Sequence, residues 1–246
     1  MADQSAPSPP IGVPIRTPNP FVGPRAFEEQ DQSYFYGREQ EVRQLAALVI
    51  AQRVVLLYAP SGAGKTSLLQ AGLIPLLHRQ KRIEVLPIGR VSGDLTPGVP
   101  ATEETVVNIF VRNLLVKLAS QTDRLPDATP AVTLKEGLST HLADVTASGQ
   151  TATRPHLLII DQFEELFTTH PGRYPERADF FRQLQECLVS YPQVSVLLSM
   201  REDYIAHLDF YAGQMPDRLR TRFRIERLGA RNGLDAIRRP AALAGI

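Results

Sequence analysis

The stretch VVLLYAPSGAGKTSLL, Val54 to Leu69, constrains the fold of this chain more than any other. The run RVVLLY is continuously apolar after its first residue, which suits a strand buried on both faces. A glycine-bearing turn follows at once, and then a helical pattern, KTSLLQAGLIPLLHRQ. Read from Ala59, the turn spells A-P-S-G-A-G-K-T, a phosphate-binding loop with alanine in the first glycine position. Such a loop wraps phosphate oxygens in consecutive backbone N–H groups, which requires turns that Gly62 and Gly64 tolerate. Lys65 is placed to reach β- and γ-phosphates, and the Thr66 hydroxyl to ligate Mg²⁺. The helix that starts there points its positive end at the anion. The candidate nucleotide-binding residues of the loop are therefore Pro60, Ser61, Gly62, Ala63, Gly64, Lys65, Thr66 and Ser67. The alternative is a chance GKT in an ordinary strand–helix turn, and the order strand, loop, helix speaks against it.

The rest of the chain supplies a sheet for this unit. REQEVRQLAALVIAQ carries Val42, Leu45, Leu48 and Val49 at helical spacing. RIEVLPI, HLLII, VSVLLSM and RFRIERL read as further strands. Between and after them lie helical patterns: TEETVVNIFVRNLLVKLAS, VTLKEGLSTHLADV, RADFFRQLQECLVSY and ARNGLDAIRRPAALAGI. Glu103 and Glu104 suit the positive end of the first of these, and TASGQTATRP is a polar loop. Strands alternating with helices imply right-handed crossovers and a parallel, doubly wound α/β sheet. Residues 1–20 are rich in proline and short polar side chains and predict a disordered tail. The chain's 246 residues suffice for one α/β domain with a sizeable core.

Composition excludes several classes of function. A net charge of +1 gives no overall pull toward nucleic acid or an anionic membrane. A single cysteine, Cys187, rules out a disulfide framework and reads as a small core residue. The five histidines have no metal-ligand spacing, so no zinc site is expected. No signal peptide opens the sequence and no apolar run is long enough to span a bilayer, so a cytoplasmic location is expected.

A second constellation is LLIIDQFEELF, Leu157 to Phe167. Asp161 ends a buried strand where an aspartate would hold the hydration shell of a Mg²⁺ ion. Phe163, Leu166 and Phe167 fall at i, i+3 and i+4, so they share the packed face of a helix. Glu164 and Glu165 lie off that face, near the metal position. Either is a candidate catalytic acid, or merely a solvated complement to a helix dipole. The residue directly after Asp161 is Gln162, which can orient water but cannot accept its proton. That arrangement predicts slow turnover.

Taken with NPFVGPRAF, YFYGREQEV, LLSMRED and AIRRPA, these motifs resemble the STAND class of P-loop NTPases, specifically the bacterial novel STAND domain, relatives of the ASCE and AAA+ proteins. The resemblance covers about residues 19–241. It implies a three-layer fold with strand order 5-1-4-3-2, ATP or ADP with Mg²⁺ as ligands, and a signalling switch that self-associates in the ATP state. It implies an NTPase domain over 21–228 and the first part of a helical lid over 229–246. It implies that Gly37, Arg38 and Glu39 lie nearest the adenine. Arg201 takes a γ-phosphate sensor position, against which stands a surface ion pair to Glu202 or Asp203. Arg222, before Phe223, matches an arginine finger reaching a neighbouring subunit. Arg218, Arg220 and Arg224 compete for that role, and a merely basic sheet edge is the alternative. Such proteins continue into a winged helix and often a repeat array, so an ending at PAALAGI leads one to expect missing C-terminal sensor domains. A remodelling ATPase of the AAA+ kind, a scaffold without turnover and a small-molecule kinase are the competing functions.

Overall fold

A computed structural model describes residues 19–92, 108–119, 133–137 and 155–246. The expectations for the tail before residue 19, for Glu103 and Glu104, for most of VTLKEGLSTHLADV and for TASGQTATRP up to residue 154 fall outside them. The helices and strands run α1 (Glu39–Ala51), β1 (Val54–Ala59), α2 (Lys65–Ser67), α3 (Ile74–Gln80), β2 (Glu84–Val85), α4 (Ile109–Ala119), β3 (His156–Ile160), α5 (Glu165–Thr168), α6 (Tyr174–Ser190), β4 (Val194–Arg201), α7 (Ile205–Asp209), β5 (Arg222–Arg224) and α8 (Ala230–Ala244).

The five strands form one sheet in the order β2-β3-β4-β1-β5, every pair parallel. Read from the other edge this is 5-1-4-3-2, the order the resemblance implied. The interior strands are continuous apolar runs because both faces are covered. On one face Val55, Leu57, Leu157, Ile159 and Leu197 pack with Leu45, Leu69 and Leu73 from α1 and the helix after the phosphate loop. On the other, Leu56, Leu158, Ile160, Val196 and Leu198 meet Phe110 of α4 and an aromatic cluster. In that cluster the Phe163 ring lies 5.9 Å from Phe180 and 5.8 Å from Phe181. Cys187 is buried in the same layer. Helix, sheet and helix make three layers.

Four local expectations change. KTSLLQAGLIPLLHRQ is not uniformly α-helical: Leu68–Leu73 forms a π turn between α2 and α3. Pro75 follows that turn and has no N–H for a carbonyl one turn back, so the helix widens ahead of it. RIEVLPI forms only the short β2, because Pro87 cannot donate to the ladder. Pairing resumes beyond it, where Gly89 bridges Ile160 and the Asp161 N–H donates to the Gly89 carbonyl at 3.0 Å. RFRIERL pairs as a strand only over Arg222–Arg224. The chain leaves the edge once the Ile225 N–H has bonded the Tyr58 carbonyl and the Glu226 carbonyl has turned to Arg38. Finally, Phe163 lies in the turn before α5 rather than on it, though Phe163, Leu166 and Phe167 are all buried as one apolar set.

Candidate functional site

Parallel strands deliver the site by ending together. β1, β3 and β4 are neighbours, so the segments that follow their carboxyl ends emerge side by side. The register pairs Ala59 with Arg201 and Ile160 with Leu198, which sets the phosphate loop, Asp161 and Arg201 along one rim.

The loop turns on two left-handed glycines, Gly62 at φ 75° and Gly64 at φ 91°. A Cβ at either would meet open space, so the backbone angle and not crowding is what calls for glycine. Ser61, Gly62 and Gly64 are exposed, Pro60, Lys65, Thr66 and Ser67 half-buried, and Ala63 buried. The Gly64 carbonyl accepts the Leu68 N–H at 2.9 Å, which starts the helix. The Ser67 hydroxyl oxygen accepts the Phe27 N–H at 3.1 Å and ties the preceding strap to this helix.

Asp161 is 1% exposed and its two oxygens are engaged differently. Thr66 Oγ1 donates to Oδ2 and Ser199 Oγ donates to Oδ1, both at 2.7 Å. Thr66 and Asp161 therefore bring a hydroxyl and a carboxylate oxygen together, the hard donor set that suits Mg²⁺ sharing its shell with water and phosphate. Sequence reasoning missed Ser199. Its signal is a hydroxyl inside the apolar run VSVLLSM, one ladder step beyond the pair Ile160–Leu198.

The two glutamates part company. Glu164 Oε2 accepts the Arg201 N–H at 3.2 Å, which points it at the rim. Burial pushes the Glu164 carboxyl up from its ordinary value, against the pull of the Arg201 N–H and the Lys65 ammonium. Burial pushes the Lys65 ammonium down, against the attraction of Glu164 and Asp161. Opposed shifts of this kind gather where charge is to be handled. Glu165 instead accepts the Ser92 hydroxyl through Oε2. Between Asp161 and these acids Gln162 is held at φ 55°, a left-handed conformation costing a non-glycine residue about 1–2 kcal/mol.

Arg201 pairs with Asp203 and lies 5.5 Å from the Tyr204 ring centroid. Its Nε is buried and has no hydrogen-bond partner among the described residues. Arg222 sits in register with Leu56, three residues short of Ala59, and pairs with Asp209 at 2.6 Å and with the Leu219 carbonyl at 3.0 Å. Arg224, on the same side of β5, pairs with Glu202 and Glu226.

Gly37, Arg38 and Glu39 form a joint. Arg38 is buried, donating to the Ala63 carbonyl at 2.9 Å, the Glu226 carbonyl at 2.6 Å and Glu41 at 2.8 Å. Gly37 has φ 86°, and a Cβ there would stand 2.5 Å from the Asn232 carbonyl oxygen of α8. Glu39 accepts the Gly37 N–H through one oxygen and Arg239 through the other, both at 3.1 Å. The Arg239 guanidinium also covers the Tyr36 ring at 4.3 Å. The segment thus ties α8 to the crest of the phosphate loop.

The profile of the family described as Novel STAND NTPase 1 matches residues 20–246. The chain belongs to that family. As a novel STAND NTPase it is a P-loop nucleotide-binding protein, and solved structures share its fold. The Walker-type ATPase of Pyrococcus abyssi superposes with a TM-score of 0.57 at 12% identity, covering 90% of this chain and 62% of that one. The ORC2 protein of Aeropyrum pernix does so with 0.55 at 14% identity in its ADP form, covering 85% and 53%. In its ADPNP-ADP complexes the values are 0.52, 13%, 84% and 52%. This novel STAND NTPase chain thus spans between half and two thirds of the length of these structures, and at such identity the likeness is one of fold. No curated protein matches the sequence. Among the described residues no helix is long and apolar enough to cross a membrane.

Proposed function

We propose that the chain is an ATP/ADP switch of a cytoplasmic signalling protein, with slow Mg²⁺-dependent hydrolysis and self-association in the ATP state. The observation that carries this reading is the convergence of Lys65, the Thr66–Asp161 pair and Glu164 on one rim, with glutamine after the strand aspartate. Lys65 and the loop N–H groups hold the phosphates. Thr66 and Asp161 would hold a Mg²⁺ ion, which would supply charge neutralisation to the phosphates. Glu164 accepts the proton of the attacking water as the γ-phosphoryl group leaves the β-phosphate oxygen. The free Nε of Arg201 suits a γ-phosphate contact once Asp203 releases the rest of the guanidinium. Gln162 orients water from the position directly after Asp161, and the proton acceptor is displaced to Glu164, so turnover stays well below the roughly 10 s⁻¹ typical of enzymes.

The switch itself rests on the Arg38 joint. One guanidinium bonds both the phosphate loop at Ala63 and the approach to α8 at Glu226, so a loop tightened by phosphate pulls on the seat of α8. Gly37, Arg38 and Glu39 border the adenine side in this reading. Arg222, released from Asp209, bridges to the nucleotide of a second copy. The test is the nucleotide that co-purifies and its turnover rate. Bound ADP or ATP with slow turnover supports the switch. Enzyme-like rates would move the remodelling ATPase ahead, and binding without turnover would favour the scaffold.

A further inference from the structure

Arg177 is one of the most buried charges in the described structure, 5% exposed, and it has no ion pair among the described residues. A buried guanidinium without a carboxylate is costly unless its donors are satisfied. Here carbonyl oxygens do it. Nε donates to Leu166 at 3.0 Å, and Nη2 is shared among Phe167 at 3.3 Å and His170 and Pro171 at 2.9 Å each. Its Cζ lies over the Phe167 ring, 5.7 Å from the centroid, and over the Tyr174 ring, 4.9 Å from the centroid.

What Arg177 grips is the far end of α5, a helix of four residues whose first turn is led by Glu164. A helix so short does not hold itself, because nucleation is unfavourable and its last carbonyls lack internal partners. Its position must come from outside. Arg201 and Ser92 hold the leading end through Glu164 and Glu165. Arg177 holds the trailing end, taking the Leu166 and Phe167 carbonyls and, past the helix, those of His170 and Pro171. We infer that Arg177 is a positioning residue that fixes the Glu164 carboxylate over the phosphate rim by clamping α5 from behind. The inference rests on the proposed hydrolytic role of Glu164. An ammonium cannot replace the fork, since lysine offers one point of contact where arginine spans several carbonyls.

The experiment measures kcat and ADP affinity for Arg177→Lys in the wild-type and Glu164→Gln backgrounds. A residue acting through Glu164 loses its effect when Glu164 has already lost its function. Arg177→Lys should lower kcat about tenfold or more, leave ADP affinity within about twofold, and cause no further fall in the Glu164→Gln background. An equal fall in both backgrounds, a fall in affinity to match that in kcat, or no fall at all would overturn the inference. If Arg177→Lys does not fold, Tyr174→Leu decides. Tyr174 is 65% exposed, so the change spares the core while uncovering the guanidinium. It should cost about threefold in kcat, again only where Glu164 is intact. A wild type without turnover overturns the hydrolytic reading and this inference together. A wild type that Glu164→Gln inactivates but both other variants spare overturns the inference alone.

Discussion

The centre of the sheet and its β5 edge both carry charged side chains and hold them in opposite ways. At the centre, β1, β3 and β4 are bonded on both sides and almost wholly buried, and Asp161 and Glu164 are held by N–H and hydroxyl groups of neighbouring segments. At the edge, β5 has three residues, one neighbour and two exposed arginines, each held by ion pairs to surface acids. Backbone and hydroxyl partners inside a packed layer fix a group to fractions of an ångström. Exposed ion pairs contribute about 0–1 kcal/mol and exchange readily. The centre is built for chemistry at a set geometry, and the edge for contacts that are made and broken.

If that contrast holds, the largest effects belong to the centre. Glu164→Gln should lower turnover about 100-fold or more while sparing nucleotide affinity, because only proton handling is lost. Glu165→Gln should leave turnover near the wild type, since its carboxylate is tied to Ser92. Single-turnover kinetics decide, and the reverse pattern would move the base by one residue. Lys65→Ala should weaken ATP binding at least tenfold, about 1.4 kcal/mol, because no other side-chain cation lies inside the loop. Calorimetry with unchanged affinity would break the assignment of the phosphate site.

The two regions also differed in how far they could be read from the sequence. The phosphate loop was legible because its parts are contiguous: a strand, two glycines at fixed offsets, lysine, threonine and a helix. The sheet order came from the family resemblance, since no residue pattern in the strands states who their neighbours are. Glu164 and Glu165 could not be separated by periodicity, because both lie off the apolar face. Only the partners, Arg201 on one side and Ser92 on the other, distinguish them. Arg177 was out of reach for a different reason, and so was the bridge that Arg38 makes, since the motif marked that residue only as a neighbour of the adenine. Their acceptors are largely backbone carbonyls, which every residue owns, so the sequence bears no mark of them. Pro75 and Pro87 did carry a signal, the missing N–H, and both the π turn and the broken β2 follow from it.

A smaller effect sharpens the same comparison through pH. Burial raises the Glu164 carboxyl, so it stays protonated further above the usual glutamate value of about 4.3 than a solvated acid does. The carboxylate is the form that accepts the proton. Turnover should therefore be low in acid and climb with pH along a limb displaced upward from that value, while ADP affinity changes little over the same range. The limb should vanish in Glu164→Gln. A limb at the ordinary glutamate value would mean that Glu164 is solvated in the working enzyme.

The smallest effect on the single chain is expected at the edge. Arg222 holds Asp209 and the Leu219 carbonyl at the surface, with a third of its side chain exposed. Arg222→Ala should change the thermal midpoint by no more than an exposed ion pair allows, about 1 kcal/mol or less, and leave ATP binding intact. Asp209→Ala should act in the opposite sense on assembly, since it frees the guanidinium without removing it. Sedimentation of the full-length protein with ATP and Mg²⁺ separates the two readings of this arginine. If Arg222 bridges subunits, Arg222→Ala reduces assembly and turnover together, and Asp209→Ala preserves or strengthens both. If both variants assemble like the wild type, Arg222 belongs to the solvated edge of the sheet, and whatever joins two copies must lie elsewhere on the surface.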